Sequence, residues 1–196
     1  GVVGAGGAGF PTHIKARGAA EIVIANGVEC EPVLAKDKAI MRSCSGDVVQ
    51  GLAVMMGCVG APRGVIAIKR KNSREVDAMK AAARGYANVA VAEVGDYYPA
   101  GDEHVLVYEL TGRVVPAGGI PLRAGAVVSN VETLLNVANA VRDGAPVTHK
   151  YVTVAGEVKR PGTFRAPVGA SLAQLIEAAG GVRESRGGRF EVLLDG

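Results

Sequence analysis

The apolar run Ile22-Val23-Ile24, bounded by Glu21 and Asn26, predicts a strand over 21–26 that is covered on both faces, since no polar residue alternates through it. Over 47–56 the period lengthens: Val48, Leu52, Met55 and Met56 fall on one helical face, and Asp47 stands where a side chain would cap the first amides. Further apolar runs predict strands over 64–69 and 88–94, with a helix over 73–84 between them. That order, strand then helix then strand, predicts βαβ units around a parallel sheet. Short helices follow over 103–110 and 131–141. The second carries Val131, Leu134, Leu135, Ala138 and Val141 on one stripe and stops at Gly144.

A linker is expected over 143–150, where Gly144 and Pro146 interrupt both periods. Beyond it the side chains alternate from Tyr151 to Gly156, and Pro161-Gly162 turns the chain. Ser171 with Gln174 forms a capping box for a helix over 172–179, which Gly180-Gly181 closes, and 190–194 again reads as strand. The predicted division is therefore an α/β domain over 1–145 and a small β-rich unit with one packed helix over 150–196.

Composition narrows the class. With 48% apolar and 21% charged residues among 196, the chain reads as an ordinary folded protein, but its 28 glycines imply many turns or close backbone contacts. Tryptophan is absent and there are three Phe, so the core must be built from Val, Ala, Leu and Ile. The net charge of +3 is modest, and Lys69-Arg70-Lys71 has no aromatic stacking surface beside it, so no nucleic-acid partner is expected. Cys30, Cys44 and Cys58 contain no C-x-x-C, and His13, His104 and His149 show no ligand grouping, so no metal site is expected. No stretch approaches 18 apolar residues and no charged leader opens the chain, which predicts a cytoplasmic protein without a transmembrane segment. A glycine at position 1, together with an end soon after a strand-like stretch, suggests a piece of a longer protein.

The candidate chemistry begins in the glycine-rich opening. Gly4, Gly6 and Gly9 satisfy G-x-G-x-x-G, whose bare amides suit a phosphate, but no proper strand precedes them and Pro11 lets a helix begin only at that residue. Lys15 would end the first turn, reaching a phosphate or facing solvent. Glu29 and Glu31 flank Cys30 past the first strand, either on a wet ridge or awaiting donors on a ligand. Asn26 suits the imide edge of a flavin and a buried turn equally well. Tyr97 and Tyr98 near Gly101 and Glu103 either close the sheet or wall a planar cofactor, and Asn130 either caps its helix or lets the helix start present amides to a ligand. No side chain is singled out as catalytic.

Four ordered blocks decide among these: GAGGAGFPTHIK at 4–15, NGVECEP at 26–32, YYPAGDEHVLVYELTGR at 97–113 and SNVETLLNV at 129–137. They resemble the flavoprotein family that includes the RnfC component of the Rnf electron-transport complex, cobalamin-reductase-like proteins of microcompartments and, more distantly, the NADH-oxidising subunit of respiratory complex I. VTVAGEVKRPGTF at 152–164, followed by SLAQLIEAAGG, resembles a soluble-ligand-binding β-grasp domain. The resemblance implies a Rossmann-like layered domain that binds FMN and is fed by NADH. Gly4, Gly6 and Lys15 would surround the phosphate; Asn26, Glu29 and Glu31 would line the isoalloxazine; Tyr98, Gly101 and Glu103 would complete the wall; Asn130 and Thr133 would come from the last helix start. Phe10 and Glu29 would meet the nicotinamide nucleotide.

Ala5, Val28, Asp102 and Ser129 depart from the complex I pattern of Arg, Asp, Glu and Asn, which favours the Rnf-like and cobalamin-reductase-like branch. That branch's iron-sulfur cysteine repeats are absent, so clusters are expected only outside this chain. The implied function is an NADH-oxidising module of an Rnf-type complex, cytoplasmic or peripheral on the cytoplasmic membrane face, with an iron-sulfur domain or subunit and then ferredoxin or cobalamin downstream. Cobalamin reduction and a non-catalytic assembly role are the alternatives.

Overall fold

The computed structural model describes residues 1–183 and 191–194. The chain divides into two compact units, one of Gly1–Cys30 with Asp37–Val147 and the other of Glu31–Lys36 with Thr148–Gly196. The short segment after Cys30 thus leaves the first unit and groups with the second.

In the first unit the elements are α1 (Thr12–Lys15), β1 (Ile22–Asn26), α2 (Lys36–Ser43), α3 (Ser45–Val59), β2 (Arg63–Lys69), α4 (Ser73–Ala83), β3 (Val89–Val94), α5 (Glu103–Thr111), a 3-10 turn at Pro121–Ala124, β4 (Ala126–Asn130) and α6 (Val131–Asp143). The four strands form one parallel sheet in the order β3-β2-β1-β4. Ile22 to Ala25 are fully buried, as the unbroken apolar run requires of a strand covered on both faces. Ile22 and Ile24 pack with Ala126, Val128, Leu106 and Val107 on the α5 side. On the α3 side, α3 and α6 approach so closely that a Cβ on Gly51 would stand 1.9 Å from the Leu134 carbonyl oxygen. Only glycine fits there.

Two expectations change. Asp47 does not cap a helix: α3 starts at Ser45 behind Cys44, because the Cys44 amide still donates to Ile40 as α2 ends and the Cys44 carbonyl accepts from Val48. Asp47 instead lies in the first turn and pairs with Arg142. The other change is three additional elements, α2, β4 and the 3-10 turn before β4. In α2 the charged Lys36, Asp37, Lys38 and Arg42 outweigh the buried pair Ile40 and Met41, which obscures the helical period. In β4 the strand passes directly into α6, with no turn residue to mark the junction.

The second unit contains an antiparallel pair, β5 (His149–Val154) and β6 (Gly162–Pro167), and a helix α7 (Leu172–Ala178). Ser171 and Gln174 form the capping box reciprocally. The Ala35 amide donates to Thr153 Oγ1 at 3.1 Å, which ties the early segment to β5. Of the strand expected over 190–194, Phe190 lies outside the described residues and 191–194 carry no strand. No helix among the described residues is long and apolar enough to cross a membrane.

Candidate functional site

The chain runs from β1 to β2 and β3 on one side of the sheet, then returns to place β4 on the other side of β1. β4 thus lies at the sheet edge paired to β1 along its length, and the carboxyl ends of the two strands are the usual ligand position in a parallel open sheet. A cavity of about 400 Å³ occupies it, within the range of small-molecule sites. Asn26 and Asn130, paired residues at the ends of the two strands, both line it.

The opening loop forms one wall. Gly4 donates to the Phe10 carbonyl at 2.8 Å, Thr12 donates to Val2 at 3.2 Å, and Val3 bridges Pro11, so the loop is closed at its neck. Ala5 donates to Thr133 Oγ1 at 2.9 Å, and a Cβ on Gly6 would lie 3.4 Å from that of Asn130. These contacts seat the loop on the start of α6. The amides of Gly6, Gly7 and Ala8 stand outside the closing bonds, in the bare state that an anion favours. Pro11 is the N-cap of α1, which lasts a single turn.

Lys15 lies at the end of that turn. Its Nζ donates to the Val128 carbonyl at 2.7 Å, stands 3.7 Å from Glu103 Oε2, and lies 5.5 Å from the Phe10 ring centre. The ammonium is thus held inside the cavity wall by the edge of β4, a carboxylate and an aromatic face. Glu103 owes its position to α5, whose N-cap Asp102 accepts from His104 and Val105 at 2.9 and 3.1 Å.

Asn26 fastens the opposite wall. Its Oδ1 accepts from Val28 at 3.0 Å and its Nδ2 donates to the Gly101 carbonyl at 2.8 Å. The Gly101 amide donates to Cys30 Sγ at 2.9 Å, and a Cβ at this position would fall 2.3 Å from the Val28 oxygen. Cys30 therefore acts as an acceptor that helps to hold the cavity wall. On the same turn, Tyr97 donates to Glu109, and that carboxylate pushes the phenol up to about 12.

Of the residues singled out from sequence, Gly4, Gly6, Phe10, Lys15, Asn26, Gly101, Glu103, Asn130 and Thr133 line the cavity. Glu29 and Glu31 are half-buried outside its lining, and Glu31 belongs to the segment that groups with the second unit. Tyr98 is 77% exposed on the loop before α5, also outside the lining. Sequence reasoning assigns no site role to Thr12, Ile14, the Ile120–Leu122 stretch or the β4 backbone, all of which line the cavity. The run Ala126-Val127-Val128 before Asn130 is the signal for β4; without that strand the cavity has no floor.

Residues 1–139 match the family described as the Nuo51 FMN-binding domain, and residues 151–192 match the SLBB domain. Cobalamin reductase of Salmonella typhimurium is 42% identical over 181 residues, covering 92% of this chain and 40% of the relative. One component of the Na(+)-translocating ferredoxin:NAD(+) oxidoreductase complex of Acetobacterium woodii is 35% identical over 192 residues, 95% of this chain and 43% of that one. The chain spans about two fifths of the length of these relatives. Among solved structures, an NAD+-reducing [NiFe]-hydrogenase in the air-oxidised state superposes with a TM-score of 0.82 at 27% identity, over 94% of this chain and 38% of that one.

Proposed function

The chain belongs to the Nuo51 FMN-binding domain family and carries an SLBB domain behind it, and from that premise we propose that its cavity holds FMN, is reduced by NADH, and serves iron-sulfur centres elsewhere in a longer protein or complex. The observation that carries this reading is the cavity at the carboxyl ends of β1 and β4, where bare glycine-loop amides and the Lys15 ammonium meet. Those groups fit a flavin nucleotide: amides and a cation for the phosphate, and the peptide surface around Gly101 for a flat ring. FMN, when bound, supplies acceptance of a hydride from a nicotinamide and release of electrons one at a time.

The chain's own residues orient and exclude. Gly4 and Gly6 admit the phosphate to the loop, and Lys15 balances its charge. Asn26 keeps the turn at Gly101 against β1, which holds the ring wall at a fixed distance. Asn130 and Thr133 lock the loop onto α6. Phe10, in the cavity wall, and Glu29, outside its lining, meet the nicotinamide nucleotide.

The finer assignment is electron delivery within an Rnf-type complex. A cobalamin reductase is the second reading, favoured by the 42% identity to such an enzyme against 35% to the ferredoxin:NAD(+) oxidoreductase component. Anaerobic NADH added to the FMN-loaded chain should bleach the flavin absorbance. Chain that fails to take up FMN, or whose bound FMN keeps its absorbance under excess NADH, overturns the reading. Reoxidation of the bleached protein by ferredoxin or by cobalamin, in the presence of the partner iron-sulfur protein, separates the two acceptors.

A further inference from the structure

The helix α2 buries an acid. Asp37 stands in its first turn and is 3% exposed, although it lies outside the lining of the cavity. A carboxylate in a first turn favours the helix dipole equally well from the surface, so the dipole does not explain why this one is taken out of water at a cost. Its Oδ2 accepts from Asn130 Nδ2 at 2.8 Å, across 93 positions of sequence. Asn130 does line the cavity, at the junction of β4 and α6.

An ionised carboxylate only accepts, so it takes the amide nitrogen of Asn130 and leaves the amide oxygen for α6. That oxygen caps the helix, accepting from the Glu132 amide at 2.9 Å. The Asn130 side chain is thus held at both ends and in one sense. The glycine loop rests on it: a Cβ on Gly6 would stand 3.4 Å from Asn130 Cβ and 3.8 Å from its Nδ2. The loop's other tie, from the Ala5 amide to Thr133, is made to the same helix start. We propose that Asp37 is a positioning residue of this site: acting through Asn130, it fixes the surface on which the glycine loop sits, and with it the placement of the loop's bare amides. The inference rests on reading the cavity as an FMN site, and it assigns no contact between Asp37 and the flavin.

A double-mutant cycle in the full chain separates positioning from general support. Asp37→Leu keeps the volume and removes the acceptor, and should weaken FMN binding about 5- to 10-fold in a fluorescence titration. Riboflavin, which lacks the phosphate that the loop amides meet, should change by less than about 2-fold. Asn130→Ser keeps a cap for α6 but cannot reach Asp37, and should also weaken FMN. In the Asn130→Ser chain, Asp37→Leu should cost nothing further, since the residue through which it acts is gone. Where Asp37→Leu does not fold, Asp37→Asn replaces it in the cycle, with a smaller loss that again vanishes beside Asn130→Ser. Losses that multiply in the double variant, an equal loss for riboflavin, or unchanged FMN affinity in either single variant overturn the positioning role and leave the FMN site standing. Failure of the unmutated chain to bind FMN overturns the functional reading itself, and the proposal with it.

Discussion

At Lys15 a single ammonium joins three parts of the site: the first helical turn that carries it, the β4 carbonyl of Val128 at 2.7 Å and Glu103 of α5 at 3.7 Å. Its side chain is only 25% exposed, so the charge is neither freely solvated nor fully buried. Replacing Lys15 with Met should weaken FMN binding about 10-fold or more, the scale of a lost charge-assisted hydrogen bond. Riboflavin, which lacks the phosphate, should lose less in the same titration; equal losses would move the lysine from the phosphate to the ring. Sequence shows that Lys15 ends a turn next to a glycine loop, but it cannot show what the ammonium touches. Val128 is 113 positions away. Asn26 is similar: the strand end is legible, whereas its bond to Gly101, 75 positions on, depends on how the loop before α5 folds back. Tyr98 shows the limit of a motif, since its place in the matching string says nothing of its 77% exposure.

Among elements, legibility follows period and punctuation. The helix over 131–141 is clear because its apolar stripe is wide and Gly144 ends it in the left-handed conformation at φ 64°. The capping box of α7 is equally plain. Charges hide α2, and direct passage into α6 hides β4. The packing of α3 on α6 is hidden for another reason: nothing local distinguishes Gly51 from a weak point in a helix. In the structure that glycine sets the closest approach of the two helices, 1.9 Å from a would-be Cβ to the Leu134 oxygen. Gly51→Ala gains helix propensity yet should destabilise the chain by about 3 kcal/mol or more, because a backbone atom cannot move aside as a side chain does. Denaturant titration checks this, and a neutral or stabilising result would contradict the packing. Since α6 also carries Thr133 and is capped by Asn130, the same variant should loosen FMN.

For the molecule as a whole, stability should depend on pH through its ion pairs. Asp96 receives hydrogen bonds from Lys71 and Lys69, which hold its carboxyl below the ordinary range, and Lys69 is itself buried at the end of β2. A depressed carboxyl stabilises the fold fully above its unfolded-state value and loses that contribution as pH falls through the folded one. Asp96→Asn should therefore lower the melting temperature at neutral pH, and the gap to the unmutated chain should close as the solution is acidified below the usual carboxylate range. A gap that stays constant with pH would exclude the ion pairs as its source. The division into two units shows a similar dependence on distant contacts: composition marks a change near 143–150, but contacts such as the hydrogen bond from Ala35 to Thr153 group the early segment 31–36 with the later unit. By itself the sequence determined the β-α alternation, the glycine stop of α6, the capping box of α7, the glycine loop and the family, because each is written in neighbouring residues by period, turn chemistry or an ordered string. Only the tertiary structure decided that β4 lies beside β1, that a cavity lies at their carboxyl ends, and that the Lys15 ammonium meets Val128 and Glu103 there, because those facts depend on contacts between residues far apart in the chain.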